Sequence, residues 1–436
     1  MTADPYTPHS GDLRYHVAEY RLSLRYRVAT NRLDGEASIT AVALEDLDEF
    51  RLDLVGLTVE RVRVDADKRT SFRQRNRSVH VRPSVPVPAG SEFSVNVRYS
   101  GSPAPRTSRW GQIGWEHLED GILVASQPTG APTWFPCNDR PSDKARYVIE
   151  VTLEHGYTVA ATGRLQSSLT SSGRTTWTFA EDIPTASYLV ALHIGRYRSE
   201  PLALGAVPGS LYYPVRHRGR VLADLADLPR MLALFASRFG PYPMGRYDVV
   251  VTPDALEIPL ESQGMAVFGA NHLDGAGGSE RLVAHELAHQ WFGNSVGVGR
   301  WADIWLNEGF CCYAEWLWSE ESGGPSAHQQ ARHHHAALAA LPQDLVVSDP
   351  GPDNLFDDRV YKRGALTLHA LRRLVGDTTF FEILRTWCEQ HRHDTGSTAH
   401  FVALAEVVSG VALAQLFSEW LDQPRLPRIP PRSRRD

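Results

Sequence analysis

The period of the hydrophobic pattern changes near residue 203, and this change constrains the fold more than any other feature of the chain. Before it, apolar and polar residues alternate, as in "YRLSLRYRV" at 20–28 and "FSVNVRY" at 93–99, which is typical of half-buried antiparallel strands. After it, apolar residues recur mostly at helical spacing, with one strand-like run, "RYDVVVT" at 246–252. The pattern predicts an α+β multidomain protein in which a β domain precedes a mainly α-helical one.

The same patterns set the expected boundaries. We predict a β-sheet domain over 1–203, a second domain over 204–425, and a disordered tail over 426–436, where Pro and Arg mix without periodicity. Helical spacing predicts helices over the following ranges: 221–238, 280–292, 303–321, 363–375, 378–391 and 398–421.

Charge and hydropathy exclude several classes of partner. The net charge of -6 and the pI near 6.3 provide no basic field for nucleic acid or an acidic membrane surface. The N-terminus lacks the basic start and apolar run of a signal peptide, and no window approaches about 18 uninterrupted apolar residues. We therefore expect a cytoplasmic protein that binds neither nucleic acid nor membrane.

The stretch "HELAHQWFGN" at 285–294 places two histidines four residues apart around a glutamate. On a helix, His285 and His289 project from the same face, so both imidazoles can bind a single ion about 2 Å from each nitrogen. Glu286 then lies beside that ion. A catalytic zinc ion needs a third protein ligand and an open position for water.

Glu308 supplies a third ligand, because eighteen residues separate it from His289 and it lies on the next predicted helix, in "WADIWLNEGF" at 301–310. A connection of this length allows the second helix to fold back against the first. The alternative is a set of satisfied core histidines, and the spaced glutamate favours the metal site over it.

These residues resemble the signature of the M1 (gluzincin) zinc aminopeptidases, in which H-E-x-x-H and eighteen further residues precede a glutamate within W-L-N-E-G-F. "PCNDRP" at 136–141 and "VYKRGAL" at 360–366 also look like family blocks, in the family's order. The resemblance implies a saddle-shaped N-terminal β domain, a thermolysin-like catalytic domain and one Zn²⁺ per chain. It ends near the end of the catalytic domain, so we expect a short form that lacks the family's large C-terminal helical domain.

The resemblance also implies roles for individual residues. Glu286 would be the general base for the water that attacks the peptide carbonyl, and Tyr361 would stabilise the oxyanion. Glu315 lies seven residues beyond Glu308 and so on nearly the same helical face. It is either a carboxylate that supports a zinc ligand or a plain surface ion pair.

An exopeptidase must also recognise the free α-ammonium group of its substrate. The family's G-x-M-E-N strand aligns with "IPLES" at 258–262, where only Glu261 is intact. We therefore predict Glu261 as the anchor of the amine and Gln127, ten residues before the cysteine of "PCNDRP", as its second contact. Gly264 and Met265 follow in the same stretch and complete the predicted substrate-binding residues.

The sequence thus predicts a zinc aminopeptidase whose substrates are peptides with a free N-terminus. Three alternatives remain: an endopeptidase of the same fold, because the "IPLES" stretch is altered; an epoxide hydrolase akin to leukotriene A4 hydrolase; and a non-catalytic binding module.

Overall fold

The computed structural model describes residues 3–432, and they form two compact units. The first contains the described residues up to Leu202 together with Gly209–His217 and Gly245–Ala270. The second contains Ala203–Pro208, Arg218–Met244 and the described residues from Asn271 onward. A strand-rich first unit and a helical second unit confirm the predicted α+β class, while the domain boundary at residue 203 stays a prediction.

The first unit is built from strands β1 to β20. Their bounds are β1 Tyr15–Arg27, β2 Arg32–Ala43, β3 Phe50–Asp53, β4 Thr58–Val64, β5 Ser71–Arg75, β6 Ser78–Arg82, β7 Glu92–Gly101, β8 Arg106–Ser108, β9 Gly111–Leu118, β10 Gly121–Ala125, β11 Lys144–Glu154, β12 Thr158–Ala161, β13 Arg164–Ser171, β14 Arg174–Ala186, β15 Leu192–Gly195, β16 Arg198–Pro201, β17 Ser210–Tyr213, β18 Asp248–Val251, β19 Leu260–Ser262 and β20 Met265–Phe268.

These strands form four sheets. A seven-stranded sheet has the order β13-β14-β11-β1-β2-β7-β4, and a three-stranded sheet has the order β3-β6-β5. Burial alternates along β1 as its sequence predicts, with Leu22 and Leu24 in the core and Ser23 exposed. Three pairs of the unit are parallel rather than antiparallel: β1 with β11, β17 with β18, and β18 with β20.

Two five-stranded sheets complete the unit, with the orders β12-β15-β10-β9-β8 and β16-β17-β18-β20-β19. They share one hydrophobic cluster, to which β10 contributes Leu123, β18 contributes Val250 and β20 contributes Met265. This cluster fixes the end of β10 relative to the edge strand β19, where the predicted substrate-binding residues lie.

The second unit contains nine α-helices and one short strand pair within the described residues. The helices are α1 Arg218–Asp224, α2 Leu228–Phe239, α3 Glu280–Ala288, α4 Trp305–Glu321, α5 Ala327–Ala339, α6 Asp358–Val375, α7 Asp377–Gln390, α8 Thr398–Ser409 and α9 Ala414–Phe417, and the strands are β21 Gly297–Val298 and β22 Thr395–Gly396. None of the helices described is long and apolar enough to cross a membrane.

Two glycines allow α4 and α6 to touch backbone to backbone. A Cβ atom on Gly309 of α4 would lie 2.8 Å from the Cα atom of Gly364 in α6, and a Cβ atom on Gly364 would lie 2.8 Å from the Cα atom of Gly309. Real Cβ atoms do not approach other carbon atoms this closely. The glycines of "WLNEGF" and "VYKRGAL" are therefore required by the crossing of these two helices.

Two of the predicted helices are wrong in extent because each is interrupted. The helix predicted over 221–238 is two helices, since Pro229 in the first turn of α2 has no N–H to donate to the carbonyl oxygen of Leu225, as a continuous helix would require. The helix predicted over 398–421 ends at Ser409, because Gly410 adopts a left-handed conformation with φ 64° that closes α8.

The disordered tail over 426–436 stays a prediction, and the described part of the chain that leads into it makes contacts with the helices. Buried Arg363 of α6 donates hydrogen bonds to the carbonyl oxygens of Trp420 at 2.7 Å and Pro424 at 2.6 Å. Further along, the carbonyl oxygen of Pro427 lies 2.7 Å from Nε2 of His335 in α5. The sequence could not show these long-range partners, and residues 433–436 lie outside the described range.

We predict that Gly364→Ala destabilises the protein although alanine favours helix formation. The added methyl group must separate α4 from α6, at a cost of about 1–3 kcal/mol. Gly219→Ala is the matched control, because Gly219 lies in α1 with nothing within 4 Å of its Cβ position. Differential scanning calorimetry should show a lower melting temperature for Gly364→Ala and an equal or higher one for Gly219→Ala. Equal melting temperatures would contradict this account of the crossing.

Candidate metal centre

Helix α3 carries both histidines of the motif. Its buried face consists of Val283, Ala284, Leu287 and Ala288, as expected from its apolar spacing. His289 follows the last helical residue but keeps helical dihedral angles, with φ −54° and ψ −25°, and its N–H donates to the carbonyl oxygen of His285 at 3.2 Å. The four-residue spacing therefore places both imidazoles on one face.

Glu308 lies in the first turn of α4 and meets both imidazoles. Its Oε2 atom is 3.4 Å from Nε2 of His285 and 3.5 Å from Nε2 of His289. The side chains of His289 and Glu308 are buried, and that of His285 is nearly so. The structure thus brings together the three residues predicted as ligands.

A hydrogen bond at Nδ1 sets the orientation of each imidazole. Nδ1 of His285 lies 2.7 Å from Oε1 of Glu315, and Nδ1 of His289 lies 3.1 Å from the carbonyl oxygen of Phe292. Both partners are acceptors, so both Nδ1 atoms carry a proton, and the Nε2 atoms that face Glu308 are the ones that would give a lone pair to a bound metal ion. Such partners are typical of metal-binding histidines.

The spacing of these donor atoms fits zinc. Bonds of about 2.0–2.1 Å in tetrahedral geometry place neighbouring ligand atoms about 3.3 Å apart, close to the separations between Glu308 and the two imidazoles. Two nitrogen ligands and one carboxylate oxygen are also a donor set found at catalytic zinc sites. His285, His289 and Glu308 can therefore hold one zinc ion.

Charge at the centre also favours a cation. Burial by itself would raise the pKa of Glu308, but the charges and hydrogen bonds of His289 and His285 hold it well below its usual range. Burial would lower the pKa of His285, but hydrogen bonds with Glu308 and Glu315 raise it. The buried carboxylates therefore require positive charge beside them.

The two residues predicted to take part in catalysis also lie in this unit. Glu286 is buried on α3, and one of its carboxylate oxygens lies within 4.8 Å of a ring nitrogen of His289. Tyr361 is in the first turn of α6, and its ring centre is 6.1 Å from that of His285 with nearly parallel planes. The structure thus gathers Glu286 and Tyr361 around the two histidines.

Glu315 has more partners than the sequence revealed. Besides its contact with His285, the Glu315 carboxylate accepts hydrogen bonds from Nη1 of Arg281, which lies 3.3 Å from both carboxylate oxygens. Burial would raise the pKa of Glu315, but the hydrogen bond with His285 and the charges of Lys362 and Arg281 lower it. Arg281 precedes His285 by four residues on α3. This helical spacing is the only sequence feature that could have indicated its contact with Glu315.

The predicted substrate-binding residues all lie in the first unit. Glu261 is on the edge strand β19, and Gly264 forms the turn into β20 with φ 66°. Met265 follows with its side chain in the core shared by the two five-stranded sheets. Gln127 lies in the turn after β10. Their roles toward substrate stay predictions.

Comparison with known proteins gives the same family over most of the chain. The Peptidase M1 N-terminal domain matches residues 16–189, and the Peptidase family M1 domain matches residues 224–420. The M1 zinc metallopeptidase from Deinococcus radiodurans is 30% identical, with 99% of each chain covered and a TM-score of 0.90. A mutant of the enzyme bound to a Tyr-Ser-Ala substrate is also 30% identical, with 98% of each chain covered and a TM-score of 0.90.

Curated relatives are longer than this chain. A leucyl aminopeptidase from Saccharolobus solfataricus is 23% identical over 95% of this chain and 54% of its own length. A glutamyl aminopeptidase from Bitis rhinoceros is 26% identical over 68% of this chain and 33% of its own length. The chain therefore spans about a third to a half of the length of these relatives.

The fold, the three converging ligand atoms and these comparisons define a metallopeptidase. More particularly, the chain belongs to peptidase family M1, as its sequence motifs indicated.

We predict that Glu315→Gln weakens zinc binding about 10- to 100-fold, because the neutral amide supports the imidazole of His285 less well. Affinity is measured by competition with a chromogenic chelator. Glu321→Gln is the control, since Glu321 is an exposed carboxylate at the end of the same helix. Unchanged affinity in Glu315→Gln, or equal losses in both variants, would show that Glu315 does not support the metal ligand.

Proposed function

We propose that this protein is a zinc-dependent aminopeptidase that removes N-terminal residues from peptides. The observation that carries the proposal is the convergence of two imidazole nitrogens on one carboxylate oxygen at 3.4 and 3.5 Å. Relatives named as aminopeptidases, and a relative bound to a Tyr-Ser-Ala substrate, support the choice of reaction and substrate class.

His285, His289 and Glu308 would hold one zinc ion per chain. When bound, the ion supplies a Lewis acid and lowers the pKa of a water molecule. The partners of the two Nδ1 atoms, Glu315 and the Phe292 carbonyl group, keep both imidazoles in the tautomer that binds a metal.

Glu286 is the proposed general base. Its buried carboxylate accepts a proton as water attacks the peptide carbonyl, and it then returns that proton to the leaving amine. Its position on α3, one residue from His285, keeps the carboxylate beside the histidines throughout the reaction.

Tyr361 is the proposed donor to the oxyanion. As the carbonyl carbon becomes tetrahedral, its oxygen gains negative charge, and the phenolic O–H donates a hydrogen bond to it. A donor held in place before the reaction costs no reorganisation. The close contact of α6 with α4 supports this preorganisation.

Glu261 and Gln127 are the proposed contacts of the substrate's α-ammonium group. The carboxylate of Glu261 supplies both an acceptor and a negative charge, whereas the amide of Gln127 supplies an acceptor alone. Gly264 and Met265 would border the N-terminal residue.

We predict that Glu286→Gln lowers kcat about 10²- to 10⁴-fold and Tyr361→Phe about 10²- to 10³-fold, because each removes a group that acts in the transition state. Zinc content, measured by atomic absorption, should stay at the wild-type value in both. Tyr313→Phe is the control, because the Tyr313 hydroxyl group contacts His369 and Arg372 of α6 rather than a proposed zinc ligand. A Glu286→Gln variant with kcat close to the wild-type value would contradict the proposed mechanism.

The proposed reaction also predicts strict dependence on a free N-terminus. Zinc-loaded protein is incubated with a peptide library, half free and half N-acetylated, and products are identified by mass spectrometry. We expect stepwise N-terminal removal from the free peptides only. In Glu261→Gln, kcat/KM for free peptides should fall about 10- to 100-fold, because the amide keeps a hydrogen-bond acceptor but loses the negative charge that attracts the ammonium group.

The other outcomes separate the alternatives. Internal cuts in both halves of the library would identify an endopeptidase. Failure to cleave any peptide with zinc bound would overturn the proposal and direct the search to epoxides or to a binding role.

A further inference from the structure

The turn that carries Gln127 is not held in place by its own side chains. It runs from Ser126 to Gly130 after β10 and is closed by the N–H of Gly130, which donates to the carbonyl oxygen of Ser126 at 2.6 Å. Within the described residues, Ser126 Oγ, Thr129 Oγ1 and Gln127 Nε2 are buried without hydrogen-bond partners. A buried polar atom without a partner destabilises the folded state, so other contacts must stabilise the turn.

A contact between two glycines holds the turn against β9. A Cβ atom on Gly130 would lie 2.6 Å from the backbone nitrogen of Gly114 and 2.8 Å from its Cα atom. Gly114 has φ 101°, and its own Cβ atom would lie 2.3 Å from Oγ1 of Thr133. No other residue type fits at either position without moving the backbone.

The hydroxyl group of Thr133 joins the same two segments. It donates to the carbonyl oxygen of Gly130 at 2.7 Å and accepts from the N–H of Trp115 at 2.9 Å. Thr133 is fully buried, so water does not compete with these bonds. A third contact comes from Arg106, whose Nη1 donates to the carbonyl oxygen of Thr129 at 3.3 Å.

We propose that Gly130 and Thr133 are positioning residues for Gln127. By fixing the turn against β9 they hold the Gln127 amide where it contacts the substrate's α-ammonium group, and so they set how strictly the enzyme requires a free N-terminus. The inference rests on the proposed aminopeptidase function, and it adds to that function the element that enforces substrate selection. A neutral amide depends on such positioning, because a hydrogen bond weakens steeply with misalignment whereas a charge acts over a longer range.

The test compares two substrates that differ only in the α-ammonium group: L-leucine anilide and its des-amino analogue, 4-methylpentanoyl anilide. The ratio of their kcat/KM values measures selection for the amine. Thr133→Val keeps the shape of the side chain but removes both hydrogen bonds, and Thr133→Ser keeps the hydroxyl group. We expect Thr133→Val to lower the ratio about tenfold, mainly through KM for the leucine anilide. Thr133→Ser should stay within about twofold of the wild type.

The ratio separates positioning from a general structural defect. A structural defect would slow both substrates equally and leave the ratio unchanged, and this result in Thr133→Val would overturn the inference. Gln127→Ala sets the full size of the effect, and an unchanged ratio in that variant would also overturn it. If the wild-type protein cleaves both anilides equally, the proposed aminopeptidase function fails instead.

A second variant guards against failure of Thr133→Val to fold. Arg106→Gln removes the bond to the Thr129 carbonyl group from a partly exposed side chain and leaves the glycine contact intact. We expect a loss of selection of about two- to fivefold in this variant, a fraction of the loss expected for Thr133→Val. A ratio equal to that of the wild type in Arg106→Gln would count against the inference.

Discussion

The contact between Gly309 and Gly364 is the constraint on which the rest of the metal centre depends. Helices usually pack with axes about 8–10 Å apart, at a distance set by the side chains between them. Here the backbones of α4 and α6 meet directly. Because Glu308 directly precedes Gly309, and Tyr361 lies one turn before Gly364, the contact also fixes a proposed zinc ligand relative to the proposed oxyanion donor.

Charge balance around the histidines is the second organising feature. Glu308 faces the two Nε2 atoms while Glu315 faces Nδ1 of His285, so two buried carboxylates share one imidazole. Buried carboxylates need partners that compensate for lost hydration. Arg281 provides one cation, but its side chain is 60% exposed and its attraction is screened by water. A metal ion bound at the point where the three donor atoms converge would supply the remaining positive charge.

In both units, close contacts between glycine backbones help to hold the proposed functional side chains in place, in addition to side-chain hydrogen bonds. In the second unit Gly309 meets Gly364, and in the first unit Gly114 meets Gly130 beside the turn of Gln127. A glycine pair leaves few alternative arrangements, because any added Cβ atom must displace backbone. This rigidity suits groups whose hydrogen bonds must be aligned before substrate arrives.

The sequence by itself determined the α+β class and predicted that His285, His289 and Glu308 come together, because alternation, helical spacing and the four-residue histidine pair are local properties of the chain. Tertiary structure alone decided the features that depend on residues distant in sequence. These are the glycine contact of α4 with α6, the charges around Glu315, the parallel pairing of β1 with β11, and the carbonyl groups of the terminal segment that Arg363 binds. No local pattern encodes them, since each arises only when separately folded elements come within contact distance and exclude water between them.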